Sequence, residues 1–262
     1  MTTALVLKRD YLIAHRRLIL ARAIAGTIAG MVPVPFLDEW LVGAVVGGGY
    51  RRLAAAHQVD LHDDAVASLV FGKTPPPSWT EMAGSAIAYK IATQTWKRLL
   101  IALTALRRAR SAANHFLAMT LFDHYCARRH VGLGLSRERA LELRETISEA
   151  IAASPGGLAL DPFRRGALAA ARATVRAPLE LADLVSGGAL RRYLDRQADV
   201  TEADAVDEVD QALDKQLAES SSFLSRTVSA VELQLSAEVN PYVDGLIERF
   251  DELWRRRTEG GS

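Results

Sequence analysis

The stretch LILARAIAGTIAGMVPVPFLDEWLVGAVVGGGY, residues 18–50, decides the fold. It is the most apolar part of the chain, and Pro33 and Pro35 cut it in the middle. Each proline removes a backbone donor and restricts the residue before it, so a helix running up to Met31 has to stop there. A second helix is predicted from about Phe36 to His57. Asp38 and Glu39 then lie in its first turn, beside Trp40, where negative charge complements the helix dipole. Adjacent residues on a helix point about 100° apart, so these two carboxylates form no catalytic pair by themselves. Asp38 is the expected partner for Arg22 across the hairpin, since a buried charge requires one.

Neither flank is long enough to span a bilayer. Fifteen residues separate Arg22 from Asp38, and eleven separate Glu39 from Arg51, whereas a spanning helix needs about 20. The glycines add a second constraint. Gly26 and Gly30 are four apart on the first helix, as are Gly43 and Gly47 on the second. Each pair lies on one helix face, where backbones can approach closely. Residues 16–57 therefore read as a tight helical hairpin with the Pro-Val-Pro turn at its tip. A buried core and a shallow membrane insertion both fit this pattern.

Working outward, the composition favours helix. Ala, Leu and Arg are abundant among 262 residues, 49% of the chain is hydrophobic, and mean hydropathy is +0.05. Long β-branched runs are few. That hydropathy is too low for a polytopic membrane protein. Cys126 is the single cysteine, so no internal disulfide forms and a reducing compartment is expected. Lys8, Arg9, Asp10, Arg16, Arg17 and Arg22 interrupt the N-terminal apolar stretches, which makes a poor signal peptide. The expected location is cytoplasmic, or peripheral on or shallowly inserted in the inner membrane from that side.

The expected architecture is all-α. Residues 1–131 form an apolar, basic domain of Ala/Gly-rich helical hairpins packed as a bundle. Residues 132–200 form a helical extension, with Ser136 capping its first helix. Residues 201–262 form an acidic amphipathic, coiled-coil-like arm. A helix is expected to follow Asp60 as N-cap and to end near Phe71, and another to run through 80–129 with one break. In the arm, Leu217, Leu224, Val228, Val231 and Leu235 recur at spacings of seven, four, three and four. That is a broken heptad seam suited to intramolecular packing or to a partner helix. Pro241 is expected to interrupt the arm.

Charge divides the same way. Residues 1–130 hold 16 Lys/Arg against 8 Asp/Glu, and residues 131–262 hold 16 against 23. An anionic membrane surface would attract the first half. Lys97, Arg98, Arg107, Arg108 and Arg110 form its candidate basic patch, on a segment that resembles an interfacial amphipathic helix. Nucleic-acid binding is disfavoured, because no aromatic interleaving and no recognisable DNA-binding motif accompany the charge.

Asp123, Cys126 and His130 fall at i, i+3 and i+7, on one helix face. Those residue types are able to hold Zn²⁺ or make a Cys–His nucleophile. The plainer reading makes Cys126 a small buried hydrophobe and the other two surface groups. No cofactor or metal is expected, and a metal- or Cys-dependent enzyme is the weaker alternative.

The stretch MVPVPFLDEWLVGAVVGGGYRRLAAAHQVDL resembles the helical domain of the YcjF-like family (domain of unknown function 697). Its pattern is an Ala/Gly-rich helix, Pro-x-Pro-Phe-x-Asp, an apolar helix and a Tyr-Gly-Val-Asp-like end. Pro33, Pro35, Phe36, Asp38, Val59 and Asp60 match it, while His57 and Gln58 stand where Tyr-Gly is usual. The resemblance spans about residues 15–130. It implies a non-enzymatic accessory protein associated with a membrane or with a GTPase; self-association is the other expected partnership. No phosphate-binding Gly-x-x-x-x-Gly-Lys-Ser/Thr loop is present, so a partner would supply any nucleotide site. A soluble scaffold subunit of an oligomer is the other reading of the same hairpins.

Overall fold

A computed structural model describes residues 10–30, 37–74, 101–154, 202–235 and 239–260. The hairpin tip (Pro33, Pro35, Phe36), the basic residues Lys97 and Arg98, and most of the 132–200 extension lie outside the described residues. Within them the protein is all-α, with eight helices and one minimal strand pair.

Helix α1 (Asp10–Ala29) and helix α2 (Leu37–Ala56) are the two limbs of the hairpin, within a few residues of their expected limits. The second half of α1 is apolar on every side, so it is buried on every side: all residues from Ile19 to Ala29 are buried. Helices α2, α4 (Ile101–Arg128) and α7 (Phe223–Leu235) surround it. Helix α2 also contacts α3 (Asp63–Phe71) and α6 (Glu202–Ala218). Helix α5 (Arg137–Ala152) and helix α8 (Val239–Gly260) pack on each other and on α4. No helix among the described residues is long and apolar enough to cross a membrane.

Gly26, Gly43 and Gly47 sit at close approaches, toward two different neighbours, while a Cβ on Gly30 would make only ordinary contact with Val42 at 3.4 Å. Gly26 and Gly30 face α2: a Cβ on Gly26 would lie 2.7 Å from Val46 Cγ2. Gly43 and Gly47 face α3 instead, where added Cβ atoms would come within 2.7 Å of Phe71 and 2.9 Å of Val66. The hairpin glycines thus let α2 sit between two helices rather than press both glycine faces together.

Asp60, expected to cap α3, lies instead in strand β1 (Asp60–Leu61), which pairs in parallel with β2 (Gly134–Leu135). The chain reaches β1 through a sharp turn in which Gln58 has φ 59° and Val59 N–H donates to the Ala54 carbonyl at 2.9 Å. His62 occupies the N-cap position of α3, with Asp63 and Asp64 in the first turn. Ser136 caps α5 as expected, its hydroxyl accepting from Arg139 N–H at 3.3 Å.

The broken seam is an internal one. Leu224, Val228, Val231 and Leu235 are buried in the core of this chain, and Leu217 packs partly buried against it. A turn at 219–222 separates α6 from α7, and Ser222 Oγ accepts from Ser225 N–H at 3.0 Å as α7 begins. Pro241 lies in the first turn of α8 rather than interrupting a helix, a position that needs no donor.

Candidate functional site

The charge split between the halves of the sequence is resolved inside the molecule. Arg22, on the apolar limb of α1, is 1% exposed, and its Nη1 donates to Asp210 Oδ1 of α6 at 2.5 Å and to the Val45 carbonyl at 3.3 Å. Asp210 is therefore an ionic partner of Arg22; the Asp38 side chain, the partner expected from the sequence, lies outside the described residues. Burial pulls the Arg22 guanidinium down, and the Asp210 carboxylate opposes this. Arg52 of α2 reaches Asp214 as well as Asp210, and Arg17 of α1 reaches Glu232 of α7. Gly48 leaves room for the central pair, since a Cβ there would collide with the Asp210 carboxylate and lie 2.7 Å from Arg22 Nη1. Of the basic-patch residues, Arg107, Arg108 and Arg110 lie on α4, and Arg110 is exposed.

Three helices bring a second polar cluster together. Asp123 of α4 is fully buried. Its Oδ1 accepts from His15 Nδ1 of α1 at 2.8 Å and from His57 Nε2, just past the end of α2, at 2.7 Å. The two imidazoles meet edge to face, with centroids 5.4 Å apart. Asp123 Oδ2 is buried without a hydrogen-bond partner. Beside this cluster the Tyr11 hydroxyl bonds His124 Nδ1 at 2.7 Å, and His124 Nε2 bonds Asp251 Oδ1 at 3.0 Å. Arg129 Nε donates to the same oxygen at 2.7 Å. Burial pushes the Asp251 carboxyl up, but the hydrogen bonds and charges of His124 and Arg129 outweigh it and hold the group well below the usual range.

The expected Asp123, Cys126 and His130 face is not one site. Asp123 serves His15 and His57. Cys126 is buried, and burial together with the Asp123 charge pushes its thiol far up, which keeps it protonated. His130 lies beyond α4, with its Nδ1 3.4 Å from the Tyr125 hydroxyl. The residues that sequence spacing missed are His15 and His57. They lie 108 and 66 positions from Asp123, so no short-range pattern links them.

A cavity of about 430 Å³ opens between α2, α3, α4 and α5, lined in part by Val46, Tyr50, Leu69, His115, Arg144 and Ile147. Burial pushes the Tyr50 hydroxyl up to about 12, against the pull of Arg144, and lowers His115 from 6.5 to about 4. Between those two His115 values the unfolded chain binds a proton that the folded chain does not. Stability therefore falls as pH drops from about 6.5 to about 4 and loses no more from this group below that. For a side chain that keeps some solvent contact the loss is about 2 kcal/mol. Denaturant unfolding at several pH values should show this slope in the wild type and a flatter one in His115→Leu.

Comparison of the chain with protein-family models, with curated proteins and with solved structures returns no match in any of the three.

Proposed function

We propose that the protein is a non-enzymatic accessory protein that acts by docking to another protein, with its apolar hairpin serving as the core of its own bundle. The observation that carries this is the burial of every α1 residue from Ile19 to Ala29 by helices of the same chain. Along the described residues of α1, the apolar surface is covered by the protein's own helices, which supports a core role for this limb. The protonated, buried Cys126 argues against thiol chemistry in the same direction.

The resemblance to the YcjF-like family supplies one partner class, a GTPase; a second copy of the chain is the other partner considered. One local detail supports the resemblance. Gln58 adopts the left-handed conformation, φ 59°, that a glycine at this place in the family pattern would take without strain.

Flotation with anionic vesicles, together with size exclusion and light scattering in detergent-free buffer, tests the reading. The expected result is a monodisperse protein that stays with the aqueous fraction, as one species or a defined oligomer. Co-flotation with the vesicles, or aggregation relieved only by detergent, would show that the hairpin leaves the bundle for lipid.

A further inference from the structure

We propose that His15, His57 and Asp123 form a binding site for one divalent first-row transition-metal ion, with Zn²⁺ as the reference ion. This goes beyond the docking role and does not depend on it.

The donor set points to that class of ion. Two imidazole nitrogens and one carboxylate suit Zn²⁺, Fe²⁺ or Co²⁺, whereas Mg²⁺ and Ca²⁺ prefer all-oxygen surroundings. His15 Nδ1, His57 Nε2 and an Asp123 oxygen lie within 4.8 Å of one another. The three residues are held on different elements, so the protein's own packing assembles the set: α1 lies against α4, and the end of α2 lies against both. A tetrahedral ion with bonds of about 2.0–2.1 Å needs ligand atoms roughly 3.3 Å apart. The observed 2.8 and 2.7 Å separations would open by about half an ångström. The histidine side chains are 22% and 14% exposed, which gives them room to move and gives an ion a route in.

The second observation is the orphan oxygen. Asp123 is 0% exposed, and its Oδ2 has no hydrogen-bond partner. An unpaired buried acceptor carries a desolvation cost, larger when the group is charged. A histidine-carboxylate cluster built only for stability would be expected to satisfy both oxygens. An ion held by one or both carboxylate oxygens neutralises the group and removes that cost. With three protein ligands at hand, a further position is left for water or a small anionic ligand. The imidazoles stand nearly perpendicular, at 86°, rather than stacked.

The test uses the full chain, stripped with a chelator and titrated with Zn²⁺ by calorimetry and with Co²⁺ by visible absorption. The expected result is one ion per chain, with the d–d bands of low-coordinate Co²⁺. Protons compete with the ion for the same nitrogens, so binding should be weaker in acid. His57→Ala should weaken binding by more than the roughly 10–100-fold that follows loss of a residue merely supporting a ligand. His62→Ala, on the exposed α3 cap, should bind as the wild type does. If Asp123→Asn fails to fold, His15→Ala, whose side chain is partly exposed, carries the same comparison. No binding to the folded wild type, or equal binding by wild type, His15→Ala and His57→Ala, would overturn the assignment.

Discussion

Asp210→Ala should destabilise the protein by about 3–5 kcal/mol, the usual cost of removing one partner from a buried ion pair. The asymmetry of the pair makes the effect large. Asp210 is 24% exposed on its side chain, whereas Arg22 is 1% exposed. Arg22 cannot escape to solvent when its partner is lost, because α2, α4 and α7 surround the limb that carries it. Its Nε and Nη2 already lack hydrogen-bond partners, leaving only the Val45 carbonyl. Removing both charges is a different perturbation. The double variant Arg22→Met, Asp210→Leu should recover most of the loss, since well-packed apolar replacements of buried pairs are often neutral or stabilising. Chemical denaturation of the two single variants and the double variant separates the outcomes. A loss under about 1 kcal/mol for Asp210→Ala, the ordinary value of an exposed pair, would place Arg22 in contact with water.

Val228→Asp should cost roughly 3–5 kcal/mol, because a charge without a partner is forced into the core and an apolar side chain is lost from it. Val228 is 0% exposed, and its helix α7 packs on α1. The expected result is a lowered unfolding midpoint for the whole chain, with both halves affected. If residues 217–235 were instead a seam reserved for a partner helix, the isolated protein would tolerate the substitution with little change. Leu233, exposed on the same helix, gives the comparison: Leu233→Asp should leave stability within about 0.5 kcal/mol of wild type, as surface changes usually do.

The features that were legible in the sequence are those carried by local chemistry. Helix α1 ends at Ala29 and helix α2 begins at Leu37, on either side of the two prolines from which the break was expected, because proline acts on its own and neighbouring residues. Ser136 caps α5 for an equally local reason, and the spacing of Leu224, Val228 and Val231 does mark a buried face. What the spacing could not supply was the identity of the surface that covers it. A seven-residue rhythm is the same whether the covering helix belongs to this chain or to another. The acidic run in α6 was open to the same ambiguity until Asp210 and Asp214 were found against Arg22 and Arg52.

Non-local pairings stayed hidden for a related reason. Arg22 and Asp210 are 188 positions apart, whereas the sequence alone points only to carboxylates within the hairpin. Strands β1 and β2 are two residues each, too short to show alternation. His15 and His57 have no fixed spacing to Asp123, whereas the i, i+3, i+7 pattern drew attention to Cys126 and His130. Packing of α1 on α4 chose the first pair. A helical face shows which residues could meet, and the neighbouring helix decides which do.

The basic hairpin and the acidic arm fold as one unit, with the hairpin as core. Amide hydrogen exchange on the unmodified chain tests it most directly, read at α1 (Ile19–Ala29) and at α7 (Phe223–Leu235) under conditions of native-state exchange. The account predicts that both segments exchange only through the same global opening, with matching free energies and matching denaturant dependence. Protection of α1 alongside α7 amides exchanging at the rate of an open helix would contradict it.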